Sequence, residues 1–256
     1  MTVVSRILDP YASESATERA KRLNDELRDR PAEDILEAAI KREFPGRIAV
    51  VSSFGAESAV LLALMADIDP ATPVLFLETG KHFAETGAHR NALIDRLGLE
   101  DVRLLRPSAK ELAEEDPDGD LWSRDPDACC NLRKTRPLDL SLQGFDAWVT
   151  GRKRFQSETR LSLPVVETDD NGNLKFNPLA NWSQDDLDAF MEARDLPRHP
   201  LVAQGYVSIG CEPCTSPVAE GEDARAGRWR GQDKDECGIH ITADGRIVRT
   251  SAEEAS

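Results

Sequence analysis

The chain has 256 residues, of which 40% are hydrophobic and only 5% aromatic, enough to bury one substantial α/β core with a small appended unit. A formal net charge of −15 excludes general affinity for nucleic acid or an anionic membrane, so any anionic ligand must be held by local basic groups against the overall field. No apolar run approaches the ~18 residues of a membrane span, and the N-terminus lacks the basic and apolar regions of a secretory leader, which predicts a soluble, cytoplasmic protein.

Residues 16–43 are rich in Ala, Glu, Arg and Leu, with Leu23, Leu27, Ile35, Leu36 and Ile40 at helical intervals and Pro31 between two segments. Two helices are therefore expected ahead of the sheet. Short apolar runs at 48–51, 74–77, 102–105 and 147–149 then read as strands, alternating with amphipathic helices near 57–67 and 83–98. Alternation of this kind predicts an α/β fold with a doubly wound, largely parallel sheet, whose ligands bind at the carboxyl ends of the strands near the switch point. Residues 116–128 turn polar and form a loop leading into Cys129, where a helix is expected to open and run through Lys134 to Pro137 or just beyond. A capped helix follows from Asp185 to Arg194, then Pro197 and Pro200 interrupt regular structure. The stretch 216–236, with Pro217 and several glycines, is expected to be mobile.

Cysteine placement carries the chemistry. Cys129 and Cys130 are adjacent, Cys211 and Cys214 form a Cys-x-x-Cys, and Cys237 stands alone. An odd count with no secretory leader argues against a disulfide framework. A lone cysteine usually packs as a small hydrophobe, but two tight pairs point to metal. Structural zinc takes spaced chelating pairs around one ion, whereas adjacent cysteines point in different directions and a cubane offers each thiolate its own iron. The quartet therefore favours a 4Fe-4S cluster over zinc.

Other groupings are weaker alone. The turn Ser52-Ser53-Phe54-Gly55-Ala56-Glu57-Ser58 joins a strand to a helix with small residues that let backbone N–H groups approach an anion, although an ordinary joint also uses a glycine and a serine cap. Lys134 follows Cys130, and Arg133 follows Cys129, by four residues, so each base shares a helical face with a thiolate; a solvated Arg-Lys face is the alternative. Arg152 and Arg154 lie in a basic run after the strand at 147–149, and Arg225 and Arg228 in a second run before Cys237. Arginine suits bidentate contact with phosphate or sulfate. Cys237 lies in Glu236-Cys237-Gly238-Ile239-His240, where a glycine and the polar run before it predict a flexible placement, and His240 with upstream arginine can stabilise a thiolate.

Together these motifs resemble the assimilatory adenylyl-sulfate reductases of the wider phosphoadenylyl-sulfate reductase family, from about Ser52 to His240. The resemblance rests on the Ser-rich turn, Leu77-Glu78-Thr79-Gly80 with Phe83 and Glu85-Thr86, the cysteine quartet and the Glu-Cys-Gly-Ile-His motif. It implies the adenine nucleotide alpha hydrolase type of sheet. It also implies attack of Cys237 on the sulfur of adenosine 5′-phosphosulfate, expulsion of AMP, and release of sulfite from the enzyme thiosulfonate by reduced thioredoxin or a glutaredoxin-like donor, in sulfate assimilation toward cysteine. By position, Cys129, Cys130, Cys211 and Cys214 would hold one 4Fe-4S cluster and Lys134 would lie between cluster and sulfate. Ser52, Ser53, Gly55, Glu57, Arg225, Arg228 and His240 would contact substrate, with Arg152 and Arg154 a weaker transfer. The implied organisation is N-terminal helices over 1–45, a nucleotide- and cluster-binding unit over 46–215, and a mobile segment over 216–256 that carries the catalytic cysteine. The turn departs from the Ser-Gly-Gly-x-Asp-Ser of the related ATP-pyrophosphatases, which disfavours ATP cleavage. An ATP-pyrophosphatase-type thiolation enzyme and a non-catalytic iron-sulfur sensor are the competing readings, and a homo-oligomer is left open.

Overall fold

The computed structural model describes residues 14–232 together with Lys234, Glu236 and Ile239. Helix α1 (Ala16–Leu27) starts where Ser15 and Glu18 cap each other reciprocally, satisfying first-turn N–H groups that have no partner in the helix. Helix α2 (Ala32–Glu37) follows Pro31 and runs on through a π-type stretch at Ala38–Glu43. Four parallel strands come next: β1 (Ile48–Ser52), β2 (Val74–Leu77), β3 (Val102–Leu105) and β4 (Ala147–Val149), linked by α3 (Ser58–Ile68), by α4 (Ala84–Leu97) and by a longer excursion. That excursion holds α5 (Ala109–Glu115), α6 (Leu121–Arg124), α7 (Pro126–Cys130) and α8 (Arg136–Leu142). A hairpin of β5 (Val166–Thr168) and β6 (Leu174–Phe176) completes the sheet, and α9 (Gln184–Ala193) follows.

The six strands lie in the order β3-β2-β1-β4-β6-β5, and only β5 runs antiparallel to its neighbour. Between β1 and β4 the chain reverses its direction of travel across the sheet. The loops leaving those two strands therefore diverge and open a crevice at their carboxyl ends. Both sheet faces are covered, as an internal parallel sheet requires. Ile48 and Val50 point into the larger core with Leu62 and Leu64 of α3, while Ala49 points to the opposite face with Leu138 and Leu142 of α8. Helix α3 is buried along nearly its whole length, from Ala59 to Met65.

The expected strands and long helices are present to within a residue or two. The region expected to be a polar loop differs. It contains α6 and α7, and the cysteine pair closes α7 rather than opening a helix, because Asp125 accepts from the N–H groups of Asp127 and Ala128 and Pro126 takes the first helical position. A π-type stretch, Asn131–Thr135, separates the pair from α8. No helix among the described residues is long and apolar enough to cross a membrane.

Candidate functional site

The crevice at the switch point opens into a cavity of about 220 Å³. One wall is the turn after β1. Ser52 Oγ accepts from the Phe54 N–H at 3.2 Å and Ser53 Oγ from the Gly55 N–H at 3.3 Å, so the two hydroxyls fold the chain tightly into the start of α3. Phe54 is held at φ 48°, unusual for a side chain of that size, with its ring fully buried edge-on against Phe76 at 5.4 Å. A Cβ at Gly55 would stand 3.1 Å from the Ile209 carbonyl, so the close approach of the 207–210 segment favours glycine here.

Cations from several elements line the same cavity: Arg152, Lys153 and Arg160 after β4, Arg225 and Arg228 beyond the second cysteine pair, and Lys134. Most are set against carboxylates. Arg152 is buried and pairs with Glu167 on β5 while donating to Asn177 Oδ1 at 3.2 Å. Lys153, with a side chain only 3% exposed, pairs with Glu57 of the turn; burial pushes its pKa down and Glu57 opposes that shift. Arg160 holds Glu236 through Nε at 2.6 Å and Nη2 at 2.9 Å. Arg228 lies over the buried Trp229 ring at 4.4 Å and flat against Gly210, where a Cβ would stand 2.3 Å from its Nη2. His82 completes the wall, stacked on Phe76 at 5.0 Å, with Nε2 at 2.8 Å from the Leu77 carbonyl and its pKa lowered by burial.

A second, much smaller cavity shares Lys134 with this one and is lined by Cys129, Cys130, Cys211 and Cys214. An antiparallel bridge between His82 and Cys211, with the Glu212 N–H donating to the Lys81 carbonyl at 2.8 Å, pins the Cys-x-x-Cys to the chain after β2. Thr79 Oγ1 is 3.3 Å from Cys211 Sγ. Burial pushes the Cys129 thiol up to about 11, and the neighbouring Cys211 and Cys214 add to the shift although Arg133 opposes it. Among the described residues no group of three or more His, Cys, Asp and Glu is tight enough to grip a single ion. All four thiols line that one small cavity. Arg133 is not on a solvated face: it is buried, 2.5 Å from Asp116 and 2.8 Å from the Thr79 carbonyl. Lys134 lines both cavities.

Of the residues singled out from sequence, Ser52, Ser53, Gly55, Glu57, Lys134, Arg152, Arg225 and Arg228 meet at the larger cavity. Arg154 does not. It turns outward to the Leu163 carbonyl and the Asn181 side chain, because a 3-10 turn begins at Arg154 and carries its side chain away from the crevice. Cys237 and His240 lie outside the described residues. Sequence reasoning missed Lys153, Arg160, His82 and Trp229. Lys153 and Trp229 sit inside the two basic runs already noted, but for His82 and Arg160 no local pattern marks which polar side chains turn inward.

Comparison with known proteins follows this geometry. Residues 47–217 match the phosphoadenosine phosphosulfate reductase domain. The chain is 50% identical over 209 residues to the adenosine 5′-phosphosulfate reductase of Mesorhizobium japonicum, covering 82% of each, and 41% identical to the enzyme of that name from Streptomyces coelicolor, covering 93% of this chain and all of that one. The crystal structure of phosphoadenylyl-sulfate reductase from Candida auris, in a phosphate complex, superposes with a TM-score of 0.66 at 25% identity, over 78% of this chain and 97% of that one. The sheet is thus of the adenine nucleotide alpha hydrolase type expected from the sequence, and the chain belongs to the phosphoadenosine phosphosulfate reductase family.

Proposed function

We propose that this chain is an adenylyl-sulfate reductase that converts adenosine 5′-phosphosulfate to sulfite and AMP. The observation that carries the reading is Lys134, which faces both the thiol-lined cavity and the cation-lined one. The Cys237 thiolate attacks the sulfonate sulfur; an S–S bond forms, the S–O bond to phosphate breaks, and AMP leaves with that electron pair. The resulting enzyme thiosulfonate is cleaved by a reduced dithiol, thioredoxin or a glutaredoxin-like protein, which supplies two electrons, ends as a disulfide and frees sulfite. Sulfite would feed cysteine biosynthesis in the cytoplasm.

The transition state builds charge on the sulfonate oxygens and on the departing phosphate. Fixed cations answer that charge without reorganising: Lys134 on the side of the thiols, Arg225 and Arg228 from the far wall, Arg152 more deeply, with backbone N–H groups of the Ser52–Glu57 turn; by the resemblance alone, His240 would be a further contact. One 4Fe-4S cluster would be held by Cys129, Cys130, Cys211 and Cys214. The four thiols line one small cavity, and the adjacency of Cys129 and Cys130 suits a cubane, which offers each thiolate its own iron, better than a single ion. When bound it supplies a compact anionic charge beside Lys134, and the electrons for reduction come from the dithiol. In this reading an N-terminal helical unit, of which α1 and α2 are described, precedes a nucleotide- and cluster-binding unit over 46–215, and a C-terminal segment supplies Cys237.

Anaerobically purified protein should carry about four irons and four sulfides per chain; one zinc and no sulfide would overturn the cluster. Sulfite release is measured in parallel from adenosine 5′-phosphosulfate and its 3′-phosphorylated analogue, with reduced thioredoxin, and preference for the analogue would overturn the substrate. Cys237→Ser should keep the iron and release neither AMP nor sulfite, since a hydroxyl is a far poorer nucleophile at neutral pH. Full AMP release by that variant would remove Cys237 from the mechanism.

A further inference from the structure

Three described residues flank Cys237 in sequence, and each is fastened to the body. Lys234, with a side chain 4% exposed, pairs with Asp127 of α7 and lies 5.5 Å from the centre of the Trp229 ring. Ile239 lines the larger cavity and packs against the core cluster of Leu77 and Trp148. Glu236, the immediate neighbour of Cys237, is 4% exposed and takes both forks of the Arg160 guanidinium, plus a third hydrogen bond from Arg225 Nη2 at 3.2 Å. Arg160 is itself steadied by Gln156 Oε1 at 2.5 Å.

Arg160 and Arg225 reach Glu236 from different parts of the chain, one after β4 and the other beyond the second cysteine pair, so the carboxylate is clamped between two walls of the cavity. Burial alone would raise its pKa, but the two guanidiniums hold it below the ordinary carboxylate range and keep it ionised. The same carboxylate neutralises cations that also face the space for an anionic ligand. Its two effects therefore oppose each other: it anchors the chain at Glu236, one residue before Cys237, and it weakens the pull of the arginines on a bound phosphate.

We infer that Glu236 is a positioning residue for sulfur transfer, clamping the chain beside Cys237 between Arg160 and Arg225 while moderating the grip of those arginines on the nucleotide. The inference rests on Cys237 being the nucleophile. A residue that served only to stabilise the fold would change affinity and rate in the same direction. A clamp with this second role splits them.

The test uses the full-length protein purified anaerobically, comparing the parent with Glu236→Gln and Glu236→Asp. Measured are iron content, AMP binding by calorimetry, single-turnover AMP release from adenosine 5′-phosphosulfate, and hydrogen exchange of the peptide covering residues 229–240. In Glu236→Gln the iron should be unchanged, AMP should bind on the order of tenfold tighter, and AMP release should slow on the order of 10²-fold. Exchange in the peptide should quicken on the order of tenfold. Glu236→Asp, which keeps the charge, should recover most of the exchange protection and part of the rate. Unchanged exchange, or a parallel loss of affinity and rate, overturns the clamp. If Glu236→Gln fails to fold, Glu236→Asp decides: a rate equal to the parent's overturns the inference, and a slower rate at unchanged AMP affinity supports it. A parent that releases no AMP while exchange still rises in the Gln variant upholds the clamp and overturns the catalytic role of Cys237.

Discussion

The two cavities are built on opposite principles. Around the cysteines the walls are thiols, the space is small, and the main charged pair is Arg133 with Asp116, which braces the region from behind. Around the switch point the space is large and its walls are a lattice of alternating charge: Arg152 with Glu167, Lys153 with Glu57, Arg160 and Arg225 with Glu236. Burial pushes the Cys129 thiol up to about 11, so near neutral pH it offers no fixed charge to a ligand. A lattice of paired charges already holds its cations in place, so an arriving anion meets groups that pay little ordering entropy. Lys134 belongs to both regions, which makes it the most informative single position.

The comparison is broken most directly at that lysine. Lys134→Ala should retain the iron yet lower sulfite release on the order of 10²-fold, the scale of one preorganised charge contact. Parent-level turnover with iron intact would show that the two cavities do not communicate through this side chain.

The lattice predicts a different response in Glu57→Gln. Removing the carboxylate leaves Lys153 buried without its counter-charge, at a cost of about 3 kcal/mol in urea unfolding. Adding Lys153→Met should recover most of that loss. A Gln variant as stable as the parent would mean that the pairing is not needed to hold the wall.

Lys175 sharpens the same point through pH. It is buried on β6, 4.6 Å from the centre of the Trp148 ring and 3.8 Å from Glu167, and burial together with Arg152 pulls its pKa down to about 7 from an ordinary 10.5. Between those values the unfolded chain holds a proton that the folded chain has released, so this residue makes stability rise with pH across the window, by up to about 1.4 kcal/mol per unit. Below about pH 7 both states are protonated and its contribution is flat. Lys175→Met should show a shallower rise from pH 7 to 10 in the same unfolding assay; a slope identical to the parent's would show that Lys175 does not titrate in this range.

The smallest effect is expected at Arg154, which faces Asn181 and the Leu163 carbonyl instead of the cavity. Arg154→Ala should keep sulfite release within about twofold of the parent. A loss as large as that of Lys134→Ala would place this arginine among the substrate contacts after all.

How much was legible in advance follows the same divide. Cysteine is scarce and chemically distinct, so two tight pairs stand out against any background, and the apolar runs of an internal parallel sheet read directly as strands. The caps are legible as well: Asp125 and Pro126 mark the start of α7 within a stretch, 116–128, whose polar composition otherwise points to a loop. Arginine and lysine are common, and their neighbours in sequence do not reveal which way they turn. Arg152, Lys153 and Arg154 are adjacent, yet two face the crevice and the third turns away where the backbone tightens into a 3-10 turn. Arg160 stood outside every motif and is identified only by its partner 76 positions later.

The sequence by itself determined the fold class, the cysteine pairs and the turn at the head of α3, because periodicity, residue type and local hydrogen bonding act over a few residues. Only the tertiary structure decided which cations face the cavity and which carboxylates hold them. Those pairings join strand ends, turns and the chain beside Cys237 that are far apart in sequence, and they form only once the sheet reverses between β1 and β4 and brings those loops to one crevice.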